Sequence, residues 1–119
     1  MASKANVAWT ERGRAQYIGR PHIQATISGA DQWTTPSYFA AESEKRDAGT
    51  INVSIEGTFI ALFTLQRSFD DGVTWYDVEK YDTPIEKCIR NLHIGVKWRL
   101  GVKTGDFGSG TAYVRLSQV

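Results

Sequence analysis

The chain has a single cysteine, Cys88, so no internal disulfide and no cysteine-rich metal site can form. Set between Lys87 and Ile89, Cys88 reads as a small, partly buried side chain. A reactive thiol requires an activating base, and none stands beside it in sequence. No apolar run is long enough for a transmembrane helix. The first residues, Met1-Ala2-Ser3-Lys4-Ala5-Asn6, have no apolar core of a secretory signal. The expectation is a chain made, and at first kept, in a reducing cytosol. An excess of charge of one sign is also missing: the net charge is +1 and the pI near 7.9. That balance gives no overall case for nucleic-acid or membrane binding. There is no internal repeat and no low-complexity tract. Three prolines against 11 glycines fit an all-β chain with many tight turns.

The 119 residues suit one domain, long enough to bury a core without disulfide or metal. Residues 1–20 read apart from the rest. Lys4, Arg12, Arg14 and Arg20 stand against Glu11 alone, and the apolar residues Val7, Trp9, Tyr17 and Ile18 follow no period. This stretch is expected to be an extended N-terminal arm, with Trp9 buried on a partner or on its own domain. The domain is expected over residues 21–119.

From Pro21 onward, period-two alternation dominates. Ile23, Ala25 and Ile27 share one face of a strand that Ser28-Gly29 ends. Residues 30–36 read as a loop holding Trp33, which either caps the core or contacts a partner. Ser37 to Ala41 reads as a short strand, and Glu42 to Gly49 as a charged, solvated turn. Ile51, Val53 and Ile55 alternate next, and Gly57 is expected to turn the chain into a strand through Phe59, Ala61, Phe63 and Leu65. Trp75 to Lys80 follows, then a turn at Tyr81-Asp82-Thr83-Pro84. Ile85 to Leu92 fits a helical turn and a broken strand equally. Val96, Trp98, Leu100 and Val102 share one face of the next strand, and Ala112, Val114 and Leu116 of the last, with Thr104 to Gly110 expected as a glycine-rich hairpin turn. The total is about seven strands at short spacing, each sheet with one wet face. The fold class expected is all-β: an antiparallel β-sandwich, immunoglobulin-like or jelly-roll-like.

Between two of these strands lies Ser68-Phe69-Asp70-Asp71-Gly72-Val73-Thr74-Trp75. The Asp-Gly pair supplies the positive φ angles of a tight turn. Ser68, Asp70, Gly72, Thr74 and Trp75 match the Asp-box pattern, Ser-x-Asp-x-Gly-x-Thr-Trp. That pattern recurs in sialidase-type propellers and occurs singly in unrelated β proteins. The resemblance implies a structural turn, with Asp and hydroxyl side chains bonding backbone groups and the Trp packed beneath.

No catalytic constellation emerges. His22 and His93 are joined by no metal-ligand spacing. Asp70 and Asp71 are adjacent, hence point apart in extended chain and do not pair as glycosidase acids. Gly105 to Gly110 lies between strands, whereas a phosphate cradle opens a helix. No cofactor, metal or catalytic residue is therefore expected, and the chain reads as a non-enzyme. Lys97, Arg99, Lys103 and Arg115, with Tyr113 among them, suit nucleic acid or a merely solvated face, and near-zero net charge favours the second. Trp9 and Trp33 are the aromatic candidates for a sugar platform.

One further likeness runs from about Gly49 to Gln118. It rests on Val53-Ser54-Ile55-Glu56-Gly57-Thr58, Thr64-Leu65-Gln66-Arg67-Ser68, Asp71-Gly72-Val73-Thr74-Trp75, Trp98-Arg99-Leu100-Gly101-Val102-Lys103-Thr104-Gly105 and Ser109-Gly110-Thr111. This succession resembles the small β-sandwich virion accessory proteins of tailed bacteriophages. The resemblance implies a non-enzymatic capsid decoration (cement) protein located on the virion after assembly in the host cytoplasm. A neck, tail or fibre-base component is the alternative, and a carbohydrate-binding module the alternative from another class. Implied partners are the major capsid protein or other virion proteins, and a dimer or trimer of the chain itself. Lys4, Trp9, Arg12, Arg14, Arg20 and Trp33 are the candidate partner-binding residues.

Overall fold

The computed structural model describes residues 22–41 and 49–119. The expected arm, with Lys4, Trp9, Arg12, Arg14 and Arg20, and most of the expected charged turn after Ala41 lie outside the described residues. Among the described residues, seven strands form one antiparallel sheet: β1 (His22–Ile27), β2 (Gln32–Trp33), β3 (Ser37–Tyr38), β4 (Thr50–Ser68), β5 (Tyr76–Tyr81), β6 (Ile85–Arg90) and β7 (Lys97–Gln118). Among the described residues there is no helix.

Two long strands, β4 and β7, pair along nearly their whole length and build both layers. The first half of β4 is flanked by β6 and by the last part of β7, which carries β1 on its far side. The second half of β4 is flanked by β5 and by the first part of β7, which carries β2 and β3. Ile51, Val53 and Ile55 of one half share a single buried cluster with Phe63, Leu65, Trp98, Leu100 and Val102 of the other. The sheet therefore folds over on itself as an all-β sandwich, with its apolar residues between the layers.

Register explains how the fold-over keeps one face inward. Ile60 stands opposite Ser109, and Phe63 stands opposite Val102. Three steps along β4 match seven along β7, so β7 carries four extra residues at the joint. An even surplus returns the side chains to the same face, where an odd one would expel them. Odd-numbered residues of β4 and even-numbered residues of β7 accordingly point inward on both sides of the joint.

Two expected turns are corrected here. Thr104 to Gly110 is not a hairpin turn but the bent middle of β7, and Gly57 lies inside β4. Gly57 has φ 118 and Gly110 has φ 96. A Cβ on Gly57 would strike the Thr111 carbonyl, and one on Gly110 the Thr58 carbonyl. These glycines let two backbones cross closely at the bend, the second meaning of glycine in a strand. Ile85–Arg90, ambiguous in sequence, is strand β6, because Thr50–Ile55 gives it a partner for six residue pairs. Cys88 is exposed on that strand, not partly buried.

The segment after β3 closes one end. Asn91, itself buried, donates through Nδ2 to the Phe39 carbonyl at 3.0 Å, and Gln118 Oε1 accepts from Ala40 N at 2.7 Å. These bonds satisfy irregular backbone that carries Phe39 and Ala41 into the interior.

Candidate functional site

The loop 69–75 leaves β4 at Ser68, whose side chain is buried. Ser68 Oγ accepts from Gly72 N at 2.8 Å and donates to Asp70 Oδ1 at 2.7 Å. Asp70 Oδ1 also accepts from Thr74 N at 2.8 Å. Those bonds favour the carboxylate, first the one from the Thr74 backbone, and hold Asp70 down to about 2. Asp71 and Gly72 turn the chain with φ 62 and φ 90. The loop is thus tied by its own side chains, with Asp70 bonding inside it and Asp71 reaching outward.

Asp71 fastens the loop to the sheet. Its carboxylate accepts from the Tyr38 hydroxyl on β3 and faces Lys97 Nζ on β7 at 2.9 Å. The tyrosine bond, then the lysine, holds the Asp71 carboxyl below its usual range, and the same partner pushes Tyr38 and Lys97 up. Lys97 also lies over the Tyr38 ring.

Beside this clamp is a cluster on the outer face of the second layer. The Arg99 guanidinium lies 4.0 Å from the centroid of the Trp33 ring and 4.2 Å from that of Trp75. Gly101 makes the approach of Trp33 possible: a Cβ there would come within 2.7 Å of the indole. Arg99 Nε donates to Gln66 Oε1 at 2.8 Å, and Gln66 Nε2 donates to Asp77 Oδ1 at 2.8 Å. Asp77 is also bonded by Lys103, which is the first cause of its lowered carboxyl pKa. Burial pulls Arg99 down, yet a guanidinium stays charged at any ordinary pH. Under this cover Thr64, Gln66 and Ser68 are buried although they point away from the core. The expectation of a wet outer face is corrected for this part of β4.

Sequence reasoning placed Trp33 in a loop, and the structure puts it on β2 opposite Gly101. It brings Trp33 and Trp75 together around Arg99, a combination not anticipated. The available signal was Gly101, a small residue in mid-strand that marks close approach. Of the expected basic face, Lys97 and Lys103 are paired with Asp71 and Asp77, and Arg99 is stacked. Arg115 lies on the other layer, in a shallow depression of about 530 Å³ with Gln24, Ser54, Glu56 and Tyr113.

A third feature is apolar. Phe69 packs near Tyr76 and His93, at 6.1 and 6.0 Å between ring centroids, and Arg67 lies over its ring. Phe69 is 52% exposed, Val73 82%, Tyr76 54% and Ile94 64%, so the loop and its neighbours present hydrophobic surface to solvent.

Among the described residues, no group of three or more His, Cys, Asp or Glu side chains could hold a metal ion. Among them no helix long and apolar enough to cross a membrane is present. No family model matches the chain, and no curated protein matches it. Among solved structures, the crystal structure of the Yersinia pseudotuberculosis-derived mitogen is similar, with a TM-score of 0.47 and 11% sequence identity. That match covers 83% of this chain and 85% of that one.

Proposed function

We propose that the chain is a non-enzymatic structural protein of a bacteriophage particle, a decoration or cement protein that binds the assembled head. The observation that carries this reading is the exposed apolar surface of Phe69 and Val73 on a loop tied by its own hydrogen bonds, with Tyr76 at the start of β5 and Ile94 before β7 also exposed. Adhesion at a shell requires a stiff body with a hydrophobic contact surface, and it requires no reaction cleft. The residues that resemble virion accessory proteins lie on β4, β7 and the loop between β4 and β5, the parts that hold this surface in place. Repeated display on a symmetric shell multiplies weak contacts, and a dimer or trimer of this chain would add to that gain.

The arm of residues 1–20, with its four basic residues and Trp9, is the second proposed contact. The test is binding of purified protein to isolated heads. The full chain is expected to saturate them, and the protein lacking residues 1–20 to lose binding while still melting cooperatively. Undiminished binding by the truncated protein refutes the arm's role. Absence of head binding by the full chain refutes the decoration reading. A neck, tail or fibre-base position remains the alternative, distinguished by copy number per particle. Sugar binding through Trp33 is disfavoured on physical grounds, because its ring already packs against Arg99 and over Gly101.

A further inference from the structure

We infer that Arg99, held between Trp33 and Trp75, is a binding site for a carboxylate on an acidic side chain of a protein partner. A guanidinium has five N–H donors. Among the described residues, Arg99 uses one, Nε–H, on Gln66. Among those residues its Nη1 and Nη2 atoms take no acceptor, and neither is among the buried atoms that lack a partner. These two nitrogens form the fork that matches both oxygens of a carboxylate.

The surroundings keep that fork ready. Two indole rings fix the plane of the guanidinium, and the Gln66 bond fixes its rotation. Gln66 is held in turn by Asp77, so its amide oxygen is the atom facing Arg99. Nearby carboxylates are already engaged: Asp71 by Lys97 and Tyr38, Asp77 by Lys103, and Asp70 by its own loop. Among the described residues Arg99 is therefore a half-buried cation with aromatic neighbours and no carboxylate paired to it directly, a state that an external anion improves.

The walls favour carboxylate over phosphate. A carboxylate is planar and fits edge-on between aromatic rings in the guanidinium plane, whereas a tetrahedral phosphate projects oxygens toward the rings. The site lies on an open sheet face, so one fork alone would hold a free small acid weakly. A protein surface supplies further contacts around an acidic side chain seated on the fork, and Lys97 and Lys103, on either side of Arg99 along β7, are already paired with Asp71 and Asp77 and leave that place to it. The site does not depend on which assembly carries that protein.

The test is an NMR titration of the full-length protein with a hexaglutamate peptide, and separately with inorganic phosphate, at constant ionic strength. The expected result is a saturable shift of the Arg99 Nε–H and of the Trp33 and Trp75 indole N–H signals with the peptide, stronger than with phosphate. Arg99→Lys keeps the charge and loses the fork, and it should weaken peptide binding by roughly tenfold or more. Overturning results are no saturable shift in the wild-type protein, equal binding by Arg99→Lys, or preference for phosphate. The wild-type titration decides the matter even if the variant does not fold.

Discussion

Replacing Gly57 or Gly110 by alanine attacks the joint where β4 and β7 fold over. Each replacement brings two penalties. The positive φ angles, 118 and 96, strain an L side chain by about 1–3 kcal/mol. The new methyl group also strikes a carbonyl on the facing strand, Thr111 for one and Thr58 for the other, and overpacking costs about 1–3 kcal/mol more. The sum is about 2–6 kcal/mol against a domain stability of about 5–15 kcal/mol. Gly105 separates the two effects: its φ is 86, yet a Cβ there meets nothing within 4 Å. Gly105→Ala should therefore cost only the strain, about 1–3 kcal/mol, with no added crowding. Urea unfolding at constant m-value measures all three. If Gly57→Ala and Gly110→Ala prove no worse than Gly105→Ala, crowding at the joint is not what shapes the sandwich.

The loop and its charges give further expectations. Ser68→Ala removes a buried acceptor for Gly72 N and should cost about 1–3 kcal/mol, with protease cleavage appearing between Phe69 and Trp75. Asp70 is lowered from its usual 3.8 to about 2, so it contributes stability above about pH 4 that is lost as pH falls toward 2. Acid titration followed by Trp fluorescence should show the loop loosening in that window, and Asp70→Asn should remove that pH dependence while keeping an acceptor for Thr74 N. A double-mutant cycle on Asp71 and Lys97 should find only weak coupling that salt screens further, because Asp71 is largely exposed. Trp98→Ala should cost about 3–5 kcal/mol in chemical denaturation, since that side chain is wholly buried.

Much of the framework is readable without coordinates because one face of each strand must be apolar. Ile23, Ala25 and Ile27, or Trp98, Leu100 and Val102, announce an inward face whatever strand lies beside them. Asp71-Gly72 likewise declares its turn, since few other pairs accept those φ angles. Glycine in the long strands is different. The same residue ends one strand and bends another, and only the partner strand decides which. Gly57 and the run from Gly105 to Gly110 were therefore readable as turns, although β4 and β7 pass through them. The Trp33–Arg99–Trp75 cluster is a product of tertiary pairing. Trp33 reaches Arg99 only because β2 lies against β7 at Gly101, and Trp75 only because the 69–75 loop folds back over the sheet. Apart from Gly101, nothing local in the residues around Arg99 distinguishes it from an ordinary solvated strand cation.

The most direct test of the proposed role is to count this chain on purified particles, by quantitative mass spectrometry together with gold-labelled antibody imaging. A decoration protein predicts copies in the hundreds, spread over the head surface. A dozen copies or fewer at one vertex or on the tail would contradict decoration, and absence from particles would contradict a virion role altogether.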